Sequence, residues 1–348
     1  MVLFCVILLL IEIFLIGAFS CTNIFVFLLM FEASALPIFI LIAYCGSARR
    51  ERLKASYYFL FFTLYGSLAL LLLILNFYSL SQLDFSNLSN ISLHKVSWLL
   101  LFIAFAVKIP LFPFHIWLPY AHVEASTSVS IILAALLLKL GGYGMLKFLL
   151  PLFSIGVHLY FRPLALLVCA VGVVYGAICA LRQLDLKRQI AFSSISHMSF
   201  SVIGIFTFSE FGIKGAVYLM VSHGLTSAML FFLAGVLSDR YHTRFIGSFG
   251  GLMSTMPVYS GFLIFASLAN IGFPSTSGFL PEFMVLVSVL SVSPLATGFI
   301  LVGMILTTVT TLITVYRLVF GHPKVFYFKS NFMDVSKLEA VILSMLTF

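Results

Sequence analysis

Uncharged apolar runs of about 20 residues, the length that crosses a bilayer, recur from one end of the chain to the other. Backbone groups in such runs have no water to pair with, which favours helices that satisfy their own hydrogen bonds. Charged residues make up 9% of the chain, against about 25% in soluble domains. The sequence therefore predicts an all-α polytopic membrane protein.

Proline, glycine and charged residues divide the apolar sequence into about eleven transmembrane segments. We place them at 1–20, 23–45, 54–79, 96–121, 126–149, 160–181, 188–208, 211–238, 255–290, 294–320 and 334–348. The first lacks the basic leader and cleavage site of a signal peptide. The last is a partial C-terminal helix, too short to span unless the chain continues.

The distribution of lysine and arginine between the loops supports a count of about eleven segments. If the segments alternate in direction, thirteen lysines and arginines fall on the side where the chain begins: Arg49, Arg50, Arg52, Lys54, Arg182, Lys187, Arg188, Arg240, Arg244, Arg317, Lys324, Lys329 and Lys337. The loops of the other side hold four: Lys95, Lys147, Arg162 and Lys214. An excess of this kind marks the inner side of a membrane. The N-terminus is expected inside.

Two segments carry prolines in their middle and cannot be straight helices. The breaks lie in KIPLFPFHIWLP at 108–119 and in NIGFPSTSGFLPE at 270–282. Each broken segment is the fourth of a group of five. Because five is an odd number, the second group starts from the opposite side of the membrane. The sequence therefore predicts two inverted five-helix repeats, at 1–149 and 160–320, with 1–20 as the first helix of repeat one. Broken helices at matching positions of inverted repeats indicate an ion path. The alternative is two unrelated proline kinks.

Four charged residues near the middle of a segment or at a break are the strongest candidates for a function: Glu32, Lys108, Lys139 and Glu282. A charge at the bilayer centre costs roughly 2.5–3.5 kcal/mol, so each needs a reason to be there. We interpret the four as a proton pathway along a common hydrated row. Static ion pairing between helices is the alternative.

Other ionisable residues are weaker candidates for the same pathway. His223 and His197 lie inside segments, where a hydrogen-bonded core histidine is the alternative. The others lie beside the first break or in the first helix: His115, His122, Glu124 and Glu12. Cysteines are scattered singly and no phosphate-binding loop is present in the sequence, so we expect no cofactor or metal on this chain. The basic residues form no patch beside aromatic platforms, so nucleic acid is not an expected partner.

Several motifs resemble those of the antiporter-like membrane subunits of respiratory complex I. They are FEASALPIF at 31–39, AVKIPLFPFHIWLPYAHVEA at 106–125, LLLKLGGYG at 136–144, DLKRQIAFSSISHM at 185–198, SHG at 222–224 and LANIGFP at 268–274. The chain departs from the family in three ways. It lacks counterparts of the first three of about fourteen helices and part of the last, and it has Ser126 where proline is usual.

The resemblance implies a subunit that translocates protons while NADH oxidation and ubiquinone reduction occur elsewhere in an enzyme complex. It implies that Glu32 and Lys108 form a coupled pair, that Lys139 is a central relay, and that Glu282 is the terminal site. His223 would relay between the last two. NADH, FMN, iron–sulfur clusters and ubiquinone would bind partner subunits. The implied partners are other membrane-arm subunits, including neighbouring antiporter-like ones, and lipid.

Two further functions remain open from the sequence. The chain could belong to a stand-alone multi-subunit cation/proton antiporter, or it could be a structural membrane subunit whose charges move no protons. The resemblance and the 39 phenylalanines, which are typical of AT-rich coding, favour the mitochondrial inner membrane. A bacterial plasma membrane is the alternative.

Overall fold

A computed structural model describes residues 2–46, 51–78, 95–322 and 333–347. The regular elements of these ranges are helices. The chain divides into two compact units, Met1–Cys169 and Ala170–Phe348. This division does not test the predicted repeats 1–149 and 160–320, which stay a prediction.

The described part of the first unit contains seven helices before the one that leads into the second unit. They are α1 (Val2–Ser20), α2 (Ile24–Ala33), α3 (Ala35–Cys45), α4 (Glu51–Tyr78), α5 (Lys95–Lys108), α6 (Trp117–Glu124) and α7 (Thr127–Leu152). Helix α8 (Ile155–Leu181) runs through the division between the units.

Within the described residues, the second unit continues with six principal helices. They are α9 (Leu186–Ile205), α10 (Glu210–Tyr241), α11 (Pro257–Ile271), α12 (Phe279–Leu290), α13 (Pro294–Val319) and α14 (Lys337–Thr347). Each of the eleven predicted segments therefore contains helix. The polytopic all-α fold and the two broken fourth helices, α5/α6 and α11/α12, are confirmed.

Seven helices of the described ranges are long and apolar enough to cross a membrane unaided. The predicted segments that fail this test do so for physical reasons. The two broken segments are split into shorter halves, α14 has 11 residues, and α9 is polar. Arg188 is the one residue of α9 that is not buried, so this helix is enclosed on all sides by protein.

The breaks follow from local backbone chemistry. Helix α11 ends at Gly272, whose φ of +73° is the left-handed conformation that glycine adopts most easily after a helix. A local irregularity in another helix was not predicted. The segment at 23–45 is interrupted at Ser34, between α2 and α3. Pro37 lacks the N–H that would bond the carbonyl of Ala33, and the Ser34 hydroxyl donates to the carbonyl of Phe31.

Candidate functional site

Lys108 ends helix α5 at the first break, and only 1% of its surface is exposed. Its ammonium lies 4.1 Å from the centroid of the Phe31 ring, a distance at which the ring face attracts a cation. Lys108 Nζ has no hydrogen-bond partner among the described residues. The Lys108 ammonium is thus buried against an aromatic ring and makes no hydrogen bond to the described residues.

Glu32 follows Phe31 on α2 and is the carboxylate that acts electrostatically on Lys108. Its Oε1 is buried, and it too has no hydrogen-bond partner within the described part of the chain. Rings of Phe31 and Phe105 meet edge to face at 6.5 Å and connect α2 with α5. The predicted pairing of Glu32 with Lys108 is therefore one of proximity without a direct hydrogen bond.

Lys139 is buried in the middle of α7, where its ammonium donates to the carbonyl of Ala134. Two π-helical stretches, Leu133–Leu137 and Met145–Leu149, flank the α-helical turns that carry Lys139. A π-bulge shifts the i→i−4 pattern and occurs often at functional sites. The carbonyl of Ala134 belongs to the first of these stretches, which links the irregular backbone to the lysine.

Two glycines allow α7 to approach α5 closely. A Cβ at Gly144 would lie 2.3 Å from Cε1 of Phe105, and a Cβ at Gly141 would lie 2.6 Å from Cγ1 of Ile109. Real Cβ atoms do not approach other atoms that closely, so only glycine fits at this packing distance. The helix that carries Lys139 therefore packs against the end of the helix that carries Lys108.

The weaker candidates of the first unit lie around the break and on α6. His115 is buried and stacks on Phe112 at 5.8 Å, whereas His122 and Glu124 are buried at the end of α6. Glu12 is different. It is exposed on α1 and lines an open apolar groove together with Ile132 and Leu136 of α7.

The second unit contains a cluster of one carboxylate and two imidazoles. Glu282 is in the first turn of α12, and its Oε1 lies 3.5 Å from Nδ1 of His197 on α9. The His197 and His223 rings are 5.5 Å apart between centroids. All three side chains are at least nine-tenths buried. The sequence predicted each residue separately but did not predict that His197 is the direct partner of Glu282.

Gly272, which follows α11, approaches this cluster closely from the other half of the broken helix. A Cβ at Gly272 would lie 2.3 Å from Oε2 of Glu282. The left-handed backbone at Gly272 thus brings the end of α11 against the carboxylate. The glycine in the sequence NIGFP, followed two residues later by proline, is the signal from which this helix end could have been predicted.

A small polar cavity adjoins the cluster and reveals a residue to which the sequence analysis gave no role. Its lining includes Asn270, Ser222 and Thr226 in addition to the three titratable groups. Asn270 is the second-last residue of α11 and is 4% exposed. No group of three or more metal-ligating residues occurs within the described ranges.

The two clusters lie in different units. Glu32, Lys108 and Lys139 are brought together in the first, and His197, His223 and Glu282 in the second. A common row through all of them stays a prediction.

Comparison with protein families gives one match over most of the chain. The model described as "NADH:quinone oxidoreductase/Mrp antiporter, TM" matches residues 21–322. Among curated relatives, NADH-ubiquinone oxidoreductase chain 4 of Chondrus crispus is 43% identical over 344 residues, which are 96% of this chain and 68% of the relative. NADH-quinone oxidoreductase subunit M of Rickettsia felis is 44% identical over 308 residues, 86% of this chain and 62% of the relative.

Solved structures with the same fold include a chain of respiratory complex I from Thermus thermophilus with bound NADH. It superimposes with a TM-score of 0.90 at 29% identity, over 99% of this chain and 73% of that one. A chain of the Mrp complex from Dietzia sp. DQ12-45-1b gives a TM-score of 0.85 at 23% identity, over 91% of this chain and 60% of that one. The second likeness is one of fold alone.

Proposed function

Because the chain belongs to the NADH:quinone oxidoreductase/Mrp antiporter transmembrane family, we propose that it is a proton-translocating, antiporter-like subunit of respiratory complex I. In this role it couples NADH:ubiquinone oxidoreduction, carried out on partner subunits, to the movement of protons across the membrane. Identities of 43% and 44% to a chain 4 and a subunit M support its assignment to that position in the complex.

One observation carries the proposal: each unit buries a carboxylate beside a base at the break of a helix. Glu32 acts on Lys108 where α5 ends, and Glu282 meets His197 where α12 begins. Ionisable groups at membrane depth are costly and are characteristic of proton relays. In a purely structural bundle, apolar groups of similar volume at such positions are often as stabilising as a buried ion pair, or more so.

In the first unit, the proton is held or released by Lys108 according to the charge of Glu32. A nearby carboxylate favours the protonated amine, and loss of that charge or an increase in the separation favours release. The absence of a direct hydrogen bond between the two side chains within the described residues means that a small displacement suffices to change their interaction. Lys139 lies on α7, the helix that packs against α5, and is the next proton acceptor in the proposed pathway.

In the second unit, Glu282 and His197 share a proton across 3.5 Å, and His223 is close enough to exchange it with His197. Moving one charge across 100 mV requires about 2.3 kcal/mol. The chain supplies the relay groups, and the complex supplies this energy through its redox reaction.

The proposal also states the partners of the chain and the membrane in which it lies. Its partners are other membrane-arm subunits, including neighbouring antiporter-like subunits, and lipid. NADH, FMN, iron–sulfur clusters and ubiquinone bind the partner subunits. The mitochondrial inner membrane is the proposed location, and the bacterial plasma membrane is the alternative, since relatives come from Chondrus crispus as well as from Rickettsia felis.

The proposal is tested in the intact complex, reconstituted into vesicles, by measuring NADH-driven proton translocation. Lys108→Ala and Glu282→Gln are each expected to lower it by about tenfold or more, since a barrier increase of 1.36 kcal/mol gives a factor of ten. Lys95→Ala is the matched control, because Lys95 lies exposed at the other end of α5. Full translocation by both relay variants would show that the chain is a structural subunit.

The antiporter alternative is tested by native gel electrophoresis with mass spectrometry. Under our proposal the chain migrates with NADH-oxidising and quinone-reducing subunits. Migration only with small antiporter proteins would assign it to a stand-alone cation/proton antiporter.

A further inference from the structure

The contact of Lys108 with Phe31 differs from the contact made by Lys139, the other buried lysine described in the first unit. Lys139 donates a hydrogen bond to the backbone carbonyl of Ala134. The Lys108 ammonium makes no hydrogen bond to the described residues and lies over the Phe31 ring, 4.1 Å from the ring centroid. An aromatic face therefore stands where Lys139 has a carbonyl oxygen.

The Phe31 ring attracts the Lys108 amine only while the amine carries a charge. The electrons above and below a ring attract a cation within about 6 Å of the centroid, and a neutral amine gains little from them. This attraction is strongest where water is excluded, and Lys108 and Phe31 are each 1% exposed. The ring therefore favours the protonated form of Lys108.

Neighbouring side chains fix the position of the Phe31 ring. Phe105 meets it edge to face at 6.5 Å and 77°, and Phe27 packs against it at 5.4 Å. Phe105 in turn fills the space that a side chain at Gly144 would need, since a Cβ there would lie 2.3 Å from its Cε1. Because packing already orders the Phe31 ring, holding the ammonium adds little cost in conformational entropy.

One short helix, α2, carries both groups that act on Lys108, because Glu32 directly follows Phe31 in the sequence. The Glu32 carboxylate acts on the ammonium electrostatically, without a hydrogen bond between them. Its attraction is lost when the carboxylate is protonated and weakens when the carboxylate moves away. The ring has no charge to lose. Phe31 thus supplies a constant attraction, and Glu32 supplies a variable one.

We propose that Phe31 is a positioning residue for Lys108, whose ring face keeps the ammonium in place and protonated while the Glu32 carboxylate is neutral or displaced. The inference rests on the proposed function, because it concerns the step in which Lys108 holds or releases a proton. Phe31 itself exchanges no proton. It acts on that step only through Lys108.

Several ionisable side chains lie on the stretches of chain around this end of α5. They are Glu32 on α2, Tyr65 on α4, His115 in the break, His122 and Glu124 on α6, and Lys139 on α7. Among them, Glu32 is the one that acts electrostatically on Lys108. A substitution of Phe31 changes none of these groups, so a difference in pH dependence between parent and variant reports on the ring.

The test measures the pH dependence of NADH-driven proton translocation, per assembled complex, by the intact complex in vesicles. Phe31→Leu replaces the ring face by an aliphatic side chain, so that Lys108 loses its proton more easily. The pH above which translocation declines is expected to fall by about one unit, a tenfold change in the protonation equilibrium. Phe31→Tyr keeps a ring face and should keep the pH dependence of the parent.

Phe27→Leu is the matched control. Phe27 lies one turn earlier on α2, is fully buried and packs against Phe31, and none of the described lysines lies over its ring. This variant should lower the stability of the unit through lost packing without moving the pH dependence. An unchanged pH dependence in Phe31→Leu, or an equal shift in Phe27→Leu, would overturn the proposal.

A second measurement tests the contact independently of activity. Phe31→Leu is expected to speed hydrogen–deuterium exchange in a peptide covering 24–33. The increase should be larger in the parent background than in a Lys108→Met background, because only the parent has an ammonium for the ring to hold. Equal increases in the two backgrounds would show that the ring only fills space, and would contradict the proposal.

Failure of this inference is distinguishable from failure of the proposed function. If Lys108→Ala stops translocation while Phe31→Leu keeps the pH dependence of the parent, Phe31 has no positioning role and the proposed function stands. If Lys108→Ala translocates normally, the proposed function is wrong, whatever the exchange experiment shows about the contact of the ring with the ammonium.

Discussion

Gly272 approaches the Glu282 carboxylate so closely that a Cβ on it would lie 2.3 Å from Oε2. The contact joins the two halves of the broken helix at the group proposed to carry the proton. The backbone at Gly272, with φ of +73°, adds a second reason why a side chain is not tolerated there.

We expect Gly272→Ala to lower NADH-driven proton translocation by about tenfold or more, because the new methyl displaces Glu282 from His197. Gly261→Ala is the control: Gly261 is in the same helix α11, a Cβ there would meet nothing within 4 Å, and its φ is not positive. That variant should be as active as the parent and slightly more stable, by about 0.5–1 kcal/mol. Equal behaviour of the two variants would show that the close approach to Glu282 is unimportant.

Lys139→Met tests the relay in the first unit. Methionine keeps the length and helix propensity of the side chain but removes the ammonium that bonds the carbonyl of Ala134. We expect the complex to assemble and translocation to fall roughly tenfold or more.

Lys147→Met is the control for this variant, since Lys147 is on the same helix and donates to the Cys21 carbonyl and the Tyr143 hydroxyl. It should reduce thermal stability without reducing proton translocation per assembled complex. The reverse pattern, with Lys139→Met active and Lys147→Met inactive, would remove Lys139 from the pathway.

Much of this fold follows from local sequence, and that is why its prediction succeeded. The length of apolar runs predicts helices in lipid, and Pro110, Pro113 and Pro274 mark breaks because proline lacks an N–H. The interruption at Ser34 and the π-helical stretches around Lys139 were missed, since hydrogen-bond register within an apolar helix depends on tertiary packing. Nor could the direct contact of His197 with Glu282 be predicted, because it depends on which faces of α9 and α12 meet.

Asp334 provides an N-terminal cap from a distant part of the sequence. Its two carboxylate oxygens accept hydrogen bonds from the backbone N–H groups of Val258 and Tyr259 at 2.9 and 3.0 Å. These amides are in the first turn of α11 and have no partner within the helix. A negative charge there also complements the helix dipole.

Asp334→Ala is therefore expected to destabilise the start of α11 by about 1 kcal/mol. Hydrogen–deuterium exchange of a peptide covering 257–271 should be faster in this variant. Asp334→Asn, which keeps one acceptor oxygen, should show a smaller change. Asp239→Ala removes an exposed carboxylate that makes no contact with α11 in the described structure and should leave the exchange unchanged.

Glu339, near the start of α14, makes the ion pair with Arg240 sensitive to acid. Burial opposes ionisation, but hydrogen bonds from Ser336 and the Arg240 guanidinium hold the pKa of the Glu339 carboxyl below its ordinary value. A depressed pKa means that the stabilisation is complete above the ordinary value of about 4.3 and is lost as pH falls through the lower, folded value.

We expect exchange in the 333–347 peptide, corrected for the intrinsic pH dependence of exchange, to increase only below that ordinary value. Glu339→Gln should show the faster exchange already at neutral pH and no further change on acidification. A transition in the parent near neutral pH would instead indicate that a different group controls this contact.

The enclosure of α9 also has a consequence for how the protein is made. Five serines, Lys187, Arg188 and His197 make this helix a poor substrate for release into lipid as a solitary segment. During biogenesis it must stay shielded until α10 and α12, its neighbours in the finished unit, have left the ribosome. Synthesis that pauses before α12 is complete would therefore leave a polar helix without a place in the membrane, and such a nascent chain is a target for quality-control proteases.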